Sequence, residues 1–312
     1  MRILILGGTG FIGRELCARL VRAGHEVVVP SRRPEKVAQS LGRVAPGVVG
    51  VPFDGRTGEG WAHLLGPGAA IVNLAGENIG DARWTEEKKR AILGSRLSAG
   101  AAAMDALRRA GEAGRGLPDV LVQASAVGYY GARGPEDITE DEPAGSGFLA
   151  EVCTRWEDST RGAESLGVRR CVVRTSMVLG SGGALAKMLP IFRWGLGGPL
   201  GSGRQAVPWI HLEDEAGAIQ FLLENAGCSG PYNLAAPEAA DSRSFARELG
   251  RALGRPAFLP APGLALRLIL GQMAEEVLLS GARAVPARLI AAGYRFRHPA
   301  LHGALAEILG RP

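Results

Sequence analysis

The chain is predicted to be an α/β protein: a doubly wound parallel sheet with a smaller, mainly helical C-terminal lobe. The first observation behind this is Gly7-Gly8-Thr9-Gly10-Phe11-Ile12-Gly13, set between the apolar run Ile3–Leu6 and an amphipathic stretch that ends at Gly24. The second is the alternation of short apolar runs with longer helical ones as far as Thr175, the pattern of parallel strands with helices on both faces. The third is a change of texture at Gly180, where Gly-rich connections and Pro-punctuated helical segments replace the alternation.

The opening segment reads as strand, glycine turn and helix. Gly7, Gly10 and Gly13 allow a sharp turn, close approach of a pyrophosphate and tight packing of helix on strand, while the helix N-terminus offers free N–H groups. Leu16 and Leu20 share one helical face, and Gly24 stands at the C-terminal cap position. The turn, with Thr9, Phe11 and Ile12, is therefore a dinucleotide site. The next strand, His25 to Pro30, indicates which one. It ends in Ser31-Arg32-Arg33, with no carboxylate before Glu35. An acidic residue there would take the ribose hydroxyls of NAD, whereas arginines suit the additional phosphate of NADP(H). Asp54, after the strand Val48–Val51, is placed either at the adenine edge or in a turn.

The strands Ala70–Leu74, Val120–Ser125 and Val168–Arg174 follow, with a helix from Glu86 to Arg109 before the second of them. Ligands on such sheets lie beyond the carboxyl ends of the strands. This singles out Ala75-Gly76-Glu77-Asn78, Ala126 to Tyr130, and Thr175-Ser176. A short helix, Ala184 to Trp194, sits among the glycines; Trp209–Leu212 and Pro231–Leu234 are expected to return to the main sheet around a helix from Glu213 to Asn225. The expected division is a nucleotide-binding domain of 1–176 plus about 208–236, and a substrate lobe of 177–207 plus 237–312. Leu301, Leu305 and Leu309 share a face in that lobe.

At 312 residues, with 46% hydrophobic and 21% charged residues, the composition is that of a globular protein of one large or two modest domains. The net charge of +5 is spread without a Lys/Arg block, so a nucleic-acid partner is not expected. Cys17, Cys153, Cys171 and Cys228 are scattered and histidines number five, so neither a metal site nor a disulfide is expected. No apolar run approaches the ~18 residues of a membrane span, and the first strand begins at Arg2, leaving no room for a leader. A cytoplasmic protein without a membrane partner, monomeric or homodimeric, is the expectation.

Several further markers occur in order: Asn73 to Ile79, Arg83-Trp84, Gly94-Ser95-Arg96, Ser125 to Gly131, Trp156-Glu157, Gly197-Gly198, Pro208 to His211, Gly271 to Met273 and Pro286. Together with the glycine turn they resemble, over nearly the whole chain, the extended short-chain dehydrogenase/reductase superfamily of nucleotide-sugar epimerases and dehydratases. Within it they resemble the atypical YfcH-type "epimerase family protein" group. The resemblance implies a Rossmann fold, with NADP(H) cradled by Thr9 to Ile12 and Ser31 and Arg32 at the adenosine phosphate. It also implies Leu74 and Ala75 along the pyrophosphate and nicotinamide ribose, and Arg96 reaching in from its helix.

Standard members use a Tyr-x-x-x-Lys pair assisted by a Ser or Thr. Here the helix expected to carry the pair reads Phe148 to Glu157, and counting back from Glu157 puts Leu149 and Cys153, or Phe148 and Val152, at those positions. The candidate replacements are Ser125, four before Tyr129, and Tyr129 or Tyr130 as proton donor; a register fixed on Tyr130 puts Ala126 in place of the serine. Glu77, Glu151, Trp209 and His211 are candidates for the substrate cleft, Glu151 on condition that it faces inward and burial raises its pKa. Two function classes follow: an NADP(H)-dependent oxidoreductase or epimerase with unusual acid/base residues, or a non-catalytic NADP(H)-sensing protein that contacts a partner.

Overall fold

A computed structural model provides the structure, which describes residues 1–310. Its strands are β1 (Arg2–Leu6), β2 (Glu26–Ser31), β3 (Val49–Pro52), β4 (Ala69–Asn73), β5 (Val120–Ala126), β6 (Asp137–Ile138), β7 (Arg169–Thr175), β8 (Met177–Leu179), β9 (Trp209–His211), β10 (Gly230–Leu234) and β11 (Arg283–Ala284). Seven of them form one parallel sheet in the order β10-β7-β5-β4-β1-β2-β3. The chain reverses direction across the sheet beside β1, the place where this class of fold holds its ligand.

The helices are α1 (Phe11–Arg22), α2 (Val37–Leu41), α3 (Glu86–Glu112), α4 (Phe148–Asp158), α5 (Gly162–Ser165), α6 (Gly183–Arg193), α7 (Leu212–Glu224), α8 (Ser242–Leu253), α9 (Gly263–Leu270), α10 (Ala287–Ala291) and α11 (Leu301–Ile308). The two-residue period of β1 sorts its side chains to opposite faces. Ile3 and Ile5 pack with Leu16 and Leu20 of α1 and Ile219 and Leu222 of α7. Leu4 and Leu6 pack with Ala102, Ala103, Ala106 and Leu107 of α3. The small alanines let α3 lie close to the sheet, so this stripe is core of a single chain.

One strand departs from expectation. β9 does not rejoin the main sheet but pairs with β8 in a separate two-stranded sheet. Trp209 packs in the lobe core with Leu185, Phe192 and Phe245, which holds β9 beside β8; between β7 and β8 the Ser176 N–H and hydroxyl both donate to the Leu234 carbonyl, at 3.0 and 2.7 Å. Leu301 and Leu305 of α11 pack there with Trp209, Leu185 and Phe245, and the partly buried Leu309 lies against the same cluster. Among the described residues no helix is long and apolar enough to cross a membrane.

Candidate functional site

The carboxyl ends of β1, β2, β4, β5 and β7 open on one edge of the sheet. At the first, Gly7 has φ of +85°, which a side chain rarely adopts, and a Cβ there would lie 3.0 Å from the Ala75 amide nitrogen. A Cβ on Gly13 would collide with the Gly7 carbonyl oxygen and approach the Gly8 Cα to 2.7 Å. Gly13→Ala is therefore expected to cost roughly 1–3 kcal/mol through overpacking. A urea midpoint unchanged by that substitution would show that the turn has slack.

The turn is shaped for an anion. Helix α1 has no side-chain cap at Gly10 and no acid in its first turn, so its N–H groups stay available. Arg14 braces the rim, donating to the Thr9 carbonyl at 3.0 Å and to the Ser40 hydroxyl at 2.6 Å. At the end of β2, Arg32 and Arg33 are exposed, while the Ser31 hydroxyl accepts from the Arg33 N–H at 3.1 Å. Asp54 is exposed and serves its own turn: its carboxylate accepts from the Arg56 and Thr57 N–H groups, each at 2.7 Å, and from the Thr57 hydroxyl at 2.9 Å. These bonds hold its pKa below the usual carboxylate value.

After β4, the half-buried Leu74 and Ala75 lead into exposed Gly76 and Glu77. Arg96 holds this loop, donating to the Glu77 carbonyl at 3.0 Å, and its guanidinium lies 4.7 Å from the Trp156 ring centre. The Glu77 carboxylate turns outward to Lys88 at 2.7 Å.

At the end of β5 the structure assembles a polar cluster. The buried Ser125 hydroxyl donates to Glu157 Oε1 at 2.7 Å. Buried Arg174 from β7 grips the same carboxylate with two donors, Nε to Oε1 at 2.9 Å and Nη2 to Oε2 at 3.1 Å. Its Nη1 donates to the Tyr130 hydroxyl at 3.0 Å and the Glu140 carbonyl at 3.1 Å. Burial opposes the Arg174 charge, but Glu157 outweighs it and holds the guanidinium above its ordinary pKa. The Tyr129 ring packs against this cation, 3.6 Å from ring centre to Cζ. Cys153 is buried in the same cluster; burial, then the Glu157 charge, pushes its thiol up to about 11, so it stays protonated at neutral pH.

The candidates thus separate. Ser125 and half-buried Tyr129 lie in the cluster. Tyr130 is fully buried, donates to Asn233 Oδ1 at 2.7 Å, and is pushed up to about 12 by burial, which takes its proton away from any cleft. The condition set for Glu151 is not met: it is exposed on α4 and pairs with Arg155 at 3.3 Å, one turn along. Trp209 is buried in the lobe core. His211 is also buried and caps α7, its Nδ1 accepting from the Glu213 N–H at 3.2 Å while Nε2 meets Glu307 at 3.0 Å. Both are packing and capping residues, not walls of a cleft.

Sequence reasoning missed Arg174 and treated Glu157 only as a marker. The available signal was an arginine ending the apolar run Cys171-Val172-Val173, since a charge on a buried strand demands a partner.

The family model described as "NAD dependent epimerase/dehydratase family" matches residues 3–235, and a model for a domain of unknown function matches residues 261–308. The Epimerase family protein Mb2239 of Mycobacterium bovis is 39% identical over 311 residues, covering 99% of this chain and 98% of that one. The crystal structure of human epimerase family protein SDR39U1 (isoform2) with NADPH has a TM-score of 0.85 at 37% identity, covering 100% of both chains. The Thermus thermophilus UDP-glucose 4-epimerase, solved with NAD, has a TM-score of 0.73 at 21% identity over 99% of this chain, a likeness of fold alone. By the span of the family model and by identity over almost its full length, the chain belongs to the NAD dependent epimerase/dehydratase family.

Proposed function

We propose that this chain binds NADP(H) and acts as an oxidoreductase or epimerase-type isomerase on a small molecule, in the cytoplasm. The observation that carries the reading is the uncapped glycine-turn helix next to a β2 end that presents Arg32 and Arg33 and no carboxylate. The NADPH bound by the human relative supports it. The four cysteines are free and buried, which suits a reducing compartment.

In this reading α1 binds the pyrophosphate, Arg32 and Arg33 the adenosine phosphate, and Leu74 to Gly76 line the route to the nicotinamide. The bound cofactor supplies or accepts a hydride. Ser125, oriented by Glu157, positions the substrate oxygen, and Tyr129 gives or takes its proton. Helix α4 contains neither Tyr nor Lys, so Tyr129 acts from the opposite wall. The same absence, with a protonated Cys153 in the helix, favours the second reading, a cofactor sensor without turnover.

Cofactor fluorescence separates these readings. NADPH is expected to bind more tightly than NADH, and Arg32→Ala to weaken NADPH roughly tenfold or more by removing a charge-assisted phosphate contact. A preference for NADH overturns the cofactor reading. Oxidation of bound NADPH by a panel of carbonyls, quinones and sugar nucleotides, lost in Tyr129→Phe with binding intact, supports catalysis; tight binding without oxidation supports the sensor.

A further inference from the structure

The C-terminal lobe carries an apolar face that no part of the described chain covers. Segments 194–201 and 256–263 run side by side: the Leu259 N–H donates to the Gly197 carbonyl at 3.3 Å, and the Gly201 N–H to the Ala261 carbonyl at 2.9 Å. Helix α9 continues directly from the second segment and buries none of its residues. Along this face Trp194 is 82% exposed, Phe258 71%, Leu264 69%, Leu268 70% and Ile269 67%. A single exposed leucine is ordinary, whereas a tryptophan, a phenylalanine and three aliphatic side chains on adjoining segments mark an interaction surface.

The unpaired charge on these segments is positive. Across residues 182–212 the ionised side chains are Lys187, Arg193 and Arg204, and across residues 249–274 they are Arg251, Arg255 and Arg267. All six are exposed, and neither stretch contains an Asp or Glu. Lys187, Arg251 and Arg267 are paired with Asp81, Glu248 and Glu275 from outside these stretches. For Arg193, Arg204 and Arg255 no ion-pair partner occurs among the described residues.

We propose that this face docks on an anionic membrane surface, with Trp194, Phe258 and the α9 leucines entering the interfacial layer and the arginines meeting lipid phosphates. Exposed Trp, Phe and Leu rimmed by basic residues is the chemistry of an interfacial contact. A second copy of the chain fits less well, because a two-fold pairing sets the same cations against each other. The contact is peripheral and departs from the expectation of no membrane partner, which rested only on the lack of a spanning run. It is independent of the cofactor assignment.

The test is co-sedimentation of the full chain with vesicles of phosphatidylcholine alone or of phosphatidylcholine mixed with phosphatidylglycerol, at low and high salt. Sedimentation with the anionic vesicles alone, lost at high salt, is expected. Arg193→Gln and Arg255→Gln should each weaken it roughly fivefold, the ~1 kcal/mol per basic residue of such contacts. Leu268→Ser with Ile269→Ser should abolish it, with the melting temperature of each variant confirming an intact fold. No sedimentation, or equal sedimentation with neutral vesicles at every salt concentration, overturns the proposal. A dimer that dissociates in the Leu268→Ser/Ile269→Ser variant, without vesicle binding, overturns it in favour of a second copy.

Discussion

Glu157→Ala is expected to destabilise the fold by roughly 3–5 kcal/mol, the usual cost of breaking a buried ion pair. The substitution leaves Arg174 buried at the end of β7, its guanidinium without the carboxylate that accepts two of its donors. The same change frees the Ser125 hydroxyl, which loses its acceptor. Removing both charges, as in Glu157→Leu with Arg174→Met, should recover most of the loss, because two apolar groups of similar volume carry no desolvation penalty. Urea unfolding of the unaltered chain and the two variants checks this. A cost below about 1 kcal/mol for Glu157→Ala would mean that Arg174 is solvated, and the cluster would lose its claim to be a preorganised site.

Glu215→Gln is expected to stabilise the protein at alkaline pH and to leave it unchanged near pH 4. Glu215 lies fully buried in the first turn of α7, accepting a hydrogen bond from the Thr175 hydroxyl at 2.7 Å through Oε1, while Oε2 has no partner among the described residues. Burial raises its pKa from 4.5 to about 8, against the smaller lowering effect of Thr175. Between those values the folded protein holds a proton that the unfolded chain has released, so stability falls as pH rises and levels off above about 8. The slope approaches ~1.4 kcal/mol per pH unit, which makes the total several kcal/mol. Glutamine imitates the protonated acid and removes the slope. Parallel melting profiles for the two proteins from pH 4 to pH 9 would refute this account.

The glycine turn and the arginine-bearing end of β2 were legible in the sequence because they are local. Four glycines within seven residues, and a strand ending in Ser31-Arg32-Arg33, state their geometry without help from elsewhere. The polar cluster was not legible, since Ser125, Tyr130, Glu140, Glu157, Arg174 and Asn233 meet only after the sheet order is set. Tyr130 is an instance: next to Tyr129 in the chain, it turns inward because Asn233 and Arg174 supply its hydroxyl with partners. Trp209 and His211 misled for the opposite reason. Their run has the alternation of a sheet strand, but it pairs with β8, and Trp209 packs among Leu185, Phe192 and Phe245 of the lobe.

Helix α4, which carries Cys153 and Glu157, begins at Gly147, a residue with no side chain to satisfy the helix's first N–H groups. Glu276 does so from the far lobe, its two oxygens accepting from Phe148 and Leu149 at 3.1 and 2.8 Å. The cap is therefore synthesised 128 residues after the first residue of the helix it completes. At common rates of translation that is a delay on the order of ten seconds. By its end all seven strands of the main sheet have been synthesised, while the helix beside Ser125 still has a ragged end. A chain released before residue 276 would have the parts of a nucleotide-binding domain and an unfinished wall beside the polar cluster of Ser125 and Glu157.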